Sequence, residues 1–202
     1  MAADLERAYY ERMWRTPLNN GIGCRSNKPA KIVEGLIESL IQGEHTATAL
    51  DIGCGAGRHI RLQQVQGYIT IGVDFALTSL RALAEKNADA PIVQGSALCL
   101  PFRAQSFNVI LDSGCLHHIC ENEYPTYISE VTRVAKAGAI LLLYEFRIRD
   151  HEAQSWEGTH FTKYFRRQEI QDLFETSWNT FRLDEVAGEN GKPYWAGALT
   201  RK

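Results

Sequence analysis

The sequence has 202 residues, and its 22 basic and 24 acidic side chains give a formal charge of −2. This length fits one domain with a proper core, and the near balance of charge provides no overall attraction to nucleic acid or to acidic membranes. The first residues lack an apolar signal segment, and no apolar run approaches the ~20 residues that span a bilayer. We therefore expect a cytoplasmic protein without a membrane or nucleic-acid partner.

The five cysteines are odd in number and have no paired spacing. This argues against a disulfide framework and against a zinc site, so no metal is expected. A local basic cluster at Lys163, Arg166 and Arg167 is explained by a solvated helix start. Most of the cysteines are therefore expected to be small buried hydrophobic residues.

The first predicted helix covers Asp4 to Trp14, where aromatic residues recur at helical spacing. Tyr10 and Trp14 lie four residues apart, and we interpret the helix as a lid, although packing on the domain explains the pattern equally well. Residues 16–27 predict a polar loop that closes over the same ligand. A wide apolar stripe over Lys31 to Ile41 predicts a second helix that packs in the core.

A glycine-rich turn follows the first predicted strand. The apolar run Ala47 to Leu50 ends in Asp51 and then in Gly53, Gly55 and Gly57. Glycine allows a positive φ and the close approach of a ligand, and the N–H groups of the following helix suit an anionic or carboxylate group. The third glycine comes one position earlier than in G-x-G-x-x-G, which weakens the alternative of an NAD-dependent oxidoreductase.

An acid ends the second predicted strand, Ile69 to Val73. Asp74 at this tip, beside the glycine turn, is placed to accept two hydrogen bonds from ribose hydroxyls. Phe75 offers a flat apolar face to a purine ring. Together these residues favour a nucleotide-like site. The pattern continues with a helix over Leu77 to Lys86 and a brief strand at Ile92 and Val93.

The fourth predicted strand, Phe107 to Asp112, is apolar throughout, as expected for a parallel sheet buried on both faces. Ser113 and Gly114 form a small tip that leaves room for a substrate. His117 and His118 follow at the rim. We take His117 as the candidate that contacts the substrate or moves a proton.

The last elements combine a helix, a strand, an insertion and a hairpin. A helical face over Tyr124 to Ala135 precedes a strand over Ala139 to Phe146, in which Glu145 is expected to be a solvated charge. Arg147 to Phe165 has no clear period and predicts a long irregular insertion beside the site, of the kind that often forms a functional lid. The insertion is followed by a helix over Arg166 to Phe174, and turn residues after it predict a closing hairpin.

Four segments occur in a set order: Asp51-Ile-Gly-Cys-Gly-Ala-Gly57, Gly72-Val-Asp-Phe75, Gly95-Ser-Ala-Leu-Cys-Leu-Pro-Phe102 and Phe107-Asn-Val-Ile-Leu-Asp112. In order and spacing, this series resembles the motifs of class I S-adenosylmethionine-dependent methyltransferases. The resemblance covers about Ala47 to Phe146. It implies S-adenosylmethionine as the cofactor and S-adenosylhomocysteine as the product.

The resemblance also implies site residues. Those implied for cofactor binding are Asp51, Gly53, Cys54, Gly55, Asp74, Phe75, Ser96, Ala97, Asp112, Ser113 and Gly114. Ser96 stands where the family usually has an acid that accepts a hydrogen bond from adenine, and a neutral hydroxyl is a weaker acceptor. The N-terminal aromatic residues resemble the lid of thiopurine and tellurite-resistance methyltransferases. Candidate substrate and lid residues are Tyr10, Trp14, His118, His160 and Phe161.

Alternating strands and helices predict an α/β, Rossmann-like, doubly wound sheet. We expect seven mostly parallel strands with an antiparallel C-terminal strand and helices on both faces. A single domain over residues 1–202 then has N-terminal helices and a lid (1–45), a cofactor-binding core (46–146) and a substrate-shaping insertion with the hairpin (147–202). The expected activity is methyl transfer to a small-molecule nucleophile, such as a thiol. RNA or protein methylation and a non-catalytic cofactor-binding module are the alternatives.

Overall fold

The computed structural model describes residues 2–15, 28–40, 47–86, 89–148, 154–157 and 160–202. Its helices are α1 (Ala2–Met13), α2 (Lys31–Leu40), α3 (Ile60–Val65), α4 (Leu77–Lys86), α5 (Tyr124–Val134) and α6 (Arg167–Phe174), with 3₁₀ turns at Leu116–His118 and Glu121–Glu123. Its strands are β1 (Thr48–Ile52), β2 (Ile69–Asp74), β3 (Ile92–Gln94), β4 (Phe107–Asp112), β5 (Ala135–Phe146), β6 (Gln154–Glu157), β7 (His160–Lys163), β8 (Trp178–Ala187) and β9 (Pro193–Arg201). The predicted loop over residues 16–27 lies outside the described residues.

Seven strands form one sheet in the order β3-β2-β1-β4-β5-β9-β8. Strands β1 to β5 pair in parallel, and β9 runs antiparallel to both of its neighbours. This confirms the predicted Rossmann-like sheet with an antiparallel C-terminal strand. The strand order reverses between β1 and β4, and ligands bind at such a switch point, outside the carboxyl ends of the strands.

Helices cover both faces of the sheet because β4 and β5 are apolar on both sides. One cluster joins the sheet to α5 and α6 through Tyr127, Val131 and Phe174. A second cluster joins it to α2 through Val33 and Ile37. These two clusters fix the sheet between the helices and so fix the positions of the strand ends. Within the described ranges, no helix combines the length and the apolar character that crossing a bilayer requires.

The structure differs from the prediction around β5. The predicted strand begins at Ala139, but the observed strand begins at Ala135. The residues in between form a bulge, because the strand pairing shifts between Phe107–Ala135 and Val109–Ile140. Gly138 has a φ of 74° and supplies the positive dihedral of this bulge. The predicted irregular insertion also contains a two-stranded hairpin, β6 and β7. The boundaries at residues 46 and 147 stay a prediction.

Candidate functional site

A cavity of ≈ 490 Å³ opens at the carboxyl ends of the parallel strands. This volume lies within the ~300–1,000 Å³ typical of small-ligand sites. Loops after β1 to β4, the end of β5, and residues of α1 and β7 line it. The sequence-predicted site residues in its wall are Tyr10, Trp14, Asp51, Gly53, Cys54, Gly55, Asp74, Phe75, Ser96, Ala97, Ser113, Gly114, His117, His118 and His160.

The Asp74 carboxylate points at the glycine turn. Its Oδ2 accepts a hydrogen bond from the N–H of Gly55 at 2.9 Å, and its Oδ1 accepts one from the N–H of Ala76 at 2.8 Å. Burial raises the pKa of Asp74, and these backbone hydrogen bonds oppose the shift. Each carboxylate oxygen has two lone pairs, so Asp74 can still accept hydrogen bonds from a ligand in the cavity.

Asp51 is a buried acid of the cavity wall that, among the residues the structure places, lacks a hydrogen-bond partner at one oxygen. It is 2% exposed, and its Oδ2 has no hydrogen-bond partner within the part of the chain that the structure describes. Burial is the main cause that raises the pKa of Asp51 to about 8; Arg58 opposes the shift, while Asp112 and Asp74 add to it. A ligand that brings a cationic group to this oxygen would remove the imbalance.

Trp14, the residue that follows α1, packs directly on the glycine turn. Gly55 has a φ of 54°, and a Cβ at this position would lie 2.9 Å from the ring of Trp14. Glycine is therefore required here both for the backbone conformation and for the approach of the indole. Further along the cavity, the rings of Tyr10 and Phe75 lie 5.6 Å apart. The Ser96 hydroxyl accepts a hydrogen bond from the N–H of Leu98 at 3.1 Å.

The opposite end of the cavity contains a His–Glu pair. Nδ1 of His117 lies 2.6 Å from Oε2 of Glu145, and the same oxygen accepts the N–H of His117 at 3.2 Å. Glu145 is 0% exposed, so the expectation of a solvated charge is wrong. Burial raises the pKa of Glu145 and lowers the pKa of His117.

Two predicted site residues do not line the cavity. Asp112 is fully buried behind it, where its carboxyl accepts hydrogen bonds from the N–H of Cys115 and the hydroxyl of Tyr127. Phe161 is 2% exposed and contributes its backbone, since its N–H donates to Glu6 and its carbonyl accepts from His118. Asp112 therefore holds the backbone of Cys115, which lines the cavity, and does not itself face the cavity.

Sequence reasoning missed residues on α1 and β7. Glu6 and Tyr9 line the cavity next to His160, one helical turn before Tyr10 and Met13. The helical spacing that identified Tyr10 and Trp14 extends back to Glu6, and this was the available signal. The basic cluster was only partly solvated: Lys163 is 7% exposed and pairs with Glu121 at 2.7 Å and Glu169 at 3.2 Å.

Comparisons with known sequences add a family match. The family model described as a methyltransferase domain matches residues 50–143. Probable tRNA methyltransferase 9B of Bos taurus is 28% identical over 145 residues, which are 71% of this chain and 28% of that protein. Demethylmenaquinone methyltransferase of Renibacterium salmoninarum is 29% identical over 118 residues, 58% of this chain and 48% of that protein. The chain spans 28% to 31% of the length of the three tRNA methyltransferase 9B relatives.

Solved structures share the whole fold. A 1,6-didemethyltoxoflavin-N1-methyltransferase of Burkholderia thailandensis, with its substrate and S-adenosylhomocysteine bound, has a TM-score of 0.81 at 19% identity. The likeness covers 99% of this chain and 88% of that chain. A protein that converts a disulfide bond into a thioacetal group in echinomycin biosynthesis has a TM-score of 0.78 at 20% identity, covering 97% and 93%. At these identities the likeness shows the fold.

Proposed function

We propose that this chain is a class I S-adenosylmethionine-dependent methyltransferase that acts on a small-molecule nucleophile. The matched family model and the names of the relatives support the superfamily and the cofactor. The observation that carries the proposal is that one cavity contains two acids in different states. Asp74 is hydrogen-bonded to the glycine turn, whereas Oδ2 of Asp51 has no hydrogen-bond partner among the described residues.

The residues at the β1–β3 tips fit the cofactor. Asp74 accepts hydrogen bonds from the ribose hydroxyls, and Asp51 pairs with the ammonium of the methionine part. That part would lie along the glycine turn, where the ring of Trp14 already fills the space beside Gly55, and Phe75 and Ala97 would flank the adenine. When bound, the cofactor supplies a methyl group already activated by the sulfonium. The protein's task is then to orient the acceptor and to exclude water.

The residues at the β4 and β5 tips take the acceptor. Ser113 and Gly114 leave room beside the methyl group, and the imidazole of His117 receives the proton of the nucleophile. The α1 helix lies over the cavity and excludes water. Good alignment can contribute on the order of 7–11 kcal/mol, so a weak base is sufficient. The resemblance to thiopurine and tellurite-resistance enzymes keeps a thiol among the candidate acceptors.

RNA is the second candidate acceptor, because three of the relatives are named as probable tRNA methyltransferases. The balanced charge of this chain favours the small molecule, since RNA binding draws on basic surface. Titration with tRNA at two salt concentrations separates the two acceptors. Affinity that falls steeply with salt would support RNA, and no measurable binding would support a small molecule.

Calorimetry with S-adenosylhomocysteine tests the proposed function. We expect Asp74→Ala to weaken binding by about 100-fold, because charge-assisted hydrogen bonds of about 1.5–3 kcal/mol each are lost. Asp89→Ala, which changes an exposed acid, is the matched control. Equal affinity of Asp74→Ala and the parent would contradict the role of Asp74. No binding of S-adenosylhomocysteine by the parent would refute the function itself.

A further inference from the structure

Three imidazoles at the acceptor end of the cavity share one arrangement. His117, His118 and His160 all line the cavity, and neighbouring ring centroids lie 4.1 and 4.5 Å apart. In each ring, Nδ1 lies against an oxygen of the protein. The distances are 2.6 Å to Glu145 Oε2, 2.9 Å to the carbonyl of Phe161 and 2.9 Å to Glu6 Oε2. Nε2 of His160 lies 3.5 Å from Oγ1 of Thr162. In His117 and His118, Nε2 is the ring nitrogen left for a ligand.

The oxygens fix where each ring carries its proton. A backbone carbonyl can only accept, so Nδ1 of His118 is protonated. Oε2 of Glu145 already accepts the backbone N–H of His117, and it therefore acts as an acceptor toward Nδ1 as well. Oε1 of Glu145 has no hydrogen-bond partner among the described residues, so the proton that burial favours is placed on this oxygen and Oε2 remains the acceptor. Glu6 likewise accepts the N–H of Phe161.

Neutral rings of this tautomer have a lone pair at Nε2. Burial lowers the pKa of both His117 and His118, and the ammonium of Lys192 lowers the pKa of His117 further. Both rings therefore stay uncharged near neutral pH. The acceptor end of the cavity accordingly presents a group of hydrogen-bond acceptors.

We propose that the acceptor is recognised at this end through N–H or O–H donors, as in an amine, amide or phenol, and that a carboxylate or phosphate is rejected there. This rests on the methyltransferase function proposed above. An anion would face the Nε2 lone pairs of His117 and His118 and would lose hydration there. The ammonium of Lys192, which also lines the cavity, is the group that would oppose this rejection, and a variant of it is included in the test. In the transfer, the N–H or O–H bond breaks and its proton goes to Nε2 of His117. The nucleophile's lone pair bonds to the methyl carbon, while the electrons of the carbon–sulfur bond return to sulfur.

Nitrogen-15 NMR of the histidine-labelled full chain tests the tautomers without a substrate. We expect protonated Nδ1 and unprotonated Nε2 in His117 and His118 at pH 7, assigned through single His→Gln variants. Glu145→Leu removes the oxygen that Nδ1 faces and should abolish the preference for a protonated Nδ1 in His117 only. His118, held by a backbone carbonyl, is the control in the same spectrum. Imidazolium rings or protonated Nε2 in the parent would overturn the proposal.

The same spectra, recorded with S-adenosylhomocysteine and a probe, test the substrate class. Phenol and aniline should shift the Nε2 signals, and benzoate should bind about tenfold more weakly or worse, because its oxygens find no donor. Equal or tighter binding of benzoate, or no effect of phenol and aniline, would overturn the inference. Benzoate binding that Lys192→Ala abolishes would assign recognition to that ammonium and also overturn it. Failure of S-adenosylhomocysteine to bind refutes the methyltransferase function. The tautomers are measured on the ligand-free protein, so that failure does not affect them.

Discussion

Asp51 shows how one residue can serve a ligand at the expense of the fold. Its carboxyl is 2% exposed, and Oδ2 has no partner among the residues that the structure describes. A buried unpaired charge is costly, so the acid stays protonated in the ligand-free protein at neutral pH. A cationic ligand group would lower the pKa of Asp51 and recover the interaction. Such conflicts between stability and binding are typical of functional sites.

The Asp51→Asn variant should become more stable than the parent as the pH rises. Asp51 has a pKa of about 8 in the folded protein, against 3.8 without burial. Between these values the unfolded chain has released a proton that the folded chain retains, so raising the pH favours unfolding of the parent. A shift of about four pKa units corresponds to a change of about 5–6 kcal/mol in the gap in unfolding free energy as an upper limit, reached above pH 8. Urea titrations at pH 4.5, 6, 7.5 and 9 measure it.

The exposed Asp89→Asn variant is the control for this experiment and should show no such trend. In the same series, Asp51→Asn should bind S-adenosylhomocysteine more weakly, because the charge that pairs with the ligand's ammonium is removed. A stability gap that stays constant from pH 4.5 to 9 would show that Asp51 titrates normally.

At the scale of elements, α1 is attached at both of its ends. Glu11 accepts hydrogen bonds from the N–H groups of Leu77 and Thr78 at 2.7 and 3.1 Å, which caps α4. Glu6 accepts from His160 and Phe161 on β7, and the ring of Tyr9 stacks on His160 at 4.2 Å. These contacts hold α1 as a bridge across the cavity between the cofactor end and the acceptor end.

We expect Glu6→Ala to loosen this bridge at β7. The change leaves the N–H of Phe161 and Nδ1 of His160 without an acceptor, each at a cost of about 1–3 kcal/mol. S-adenosylhomocysteine should then dissociate about tenfold faster, which stopped-flow fluorescence measures. Glu38→Ala, an exposed position on α2, is the control. An unchanged dissociation rate would show that α1 does not cover the ligand.

The central elements could be predicted from sequence, whereas the β6–β7 hairpin could not. Strands β1, β2 and β4 carry their signal locally, in apolar runs that end at an acid. Residues 154–163 have no apolar alternation, and β7 is held by contacts with α1 that no local pattern reports. Glu145 was misjudged because a strand-end acid is usually solvated, and only the neighbouring His117 makes it a buried partner.

For the whole molecule, the sheet order divides the cavity into two ends. Tips of β3, β2 and β1 form the end that the motif series predicts, because each tip lies within its own motif. The acceptor end joins β4 and β5 to α1 and β7. Its Glu6–Phe161 hydrogen bond links residues 155 positions apart in the chain, and pairing over such a separation is not readable from a single sequence. The cofactor was therefore predictable and the acceptor was not.

The residues that line the acceptor end also distinguish a methyltransferase from a dinucleotide enzyme. Gly57 packs on α4, where a Cβ would lie 2.5 Å from Leu83. At the β4–β5 tips, where a second nucleotide would lie, the cavity is lined by three imidazoles and by residues of α1, which narrow it to the size of a small acceptor. S-adenosylhomocysteine at 100 times its Kd should stabilise the fold by about 2.7 kcal/mol, which raises Tm by about 5–10 °C at this chain length. NADH at the same concentration should leave Tm unchanged in the same thermal scan. A larger shift with NADH would contradict the methyltransferase and support the oxidoreductase.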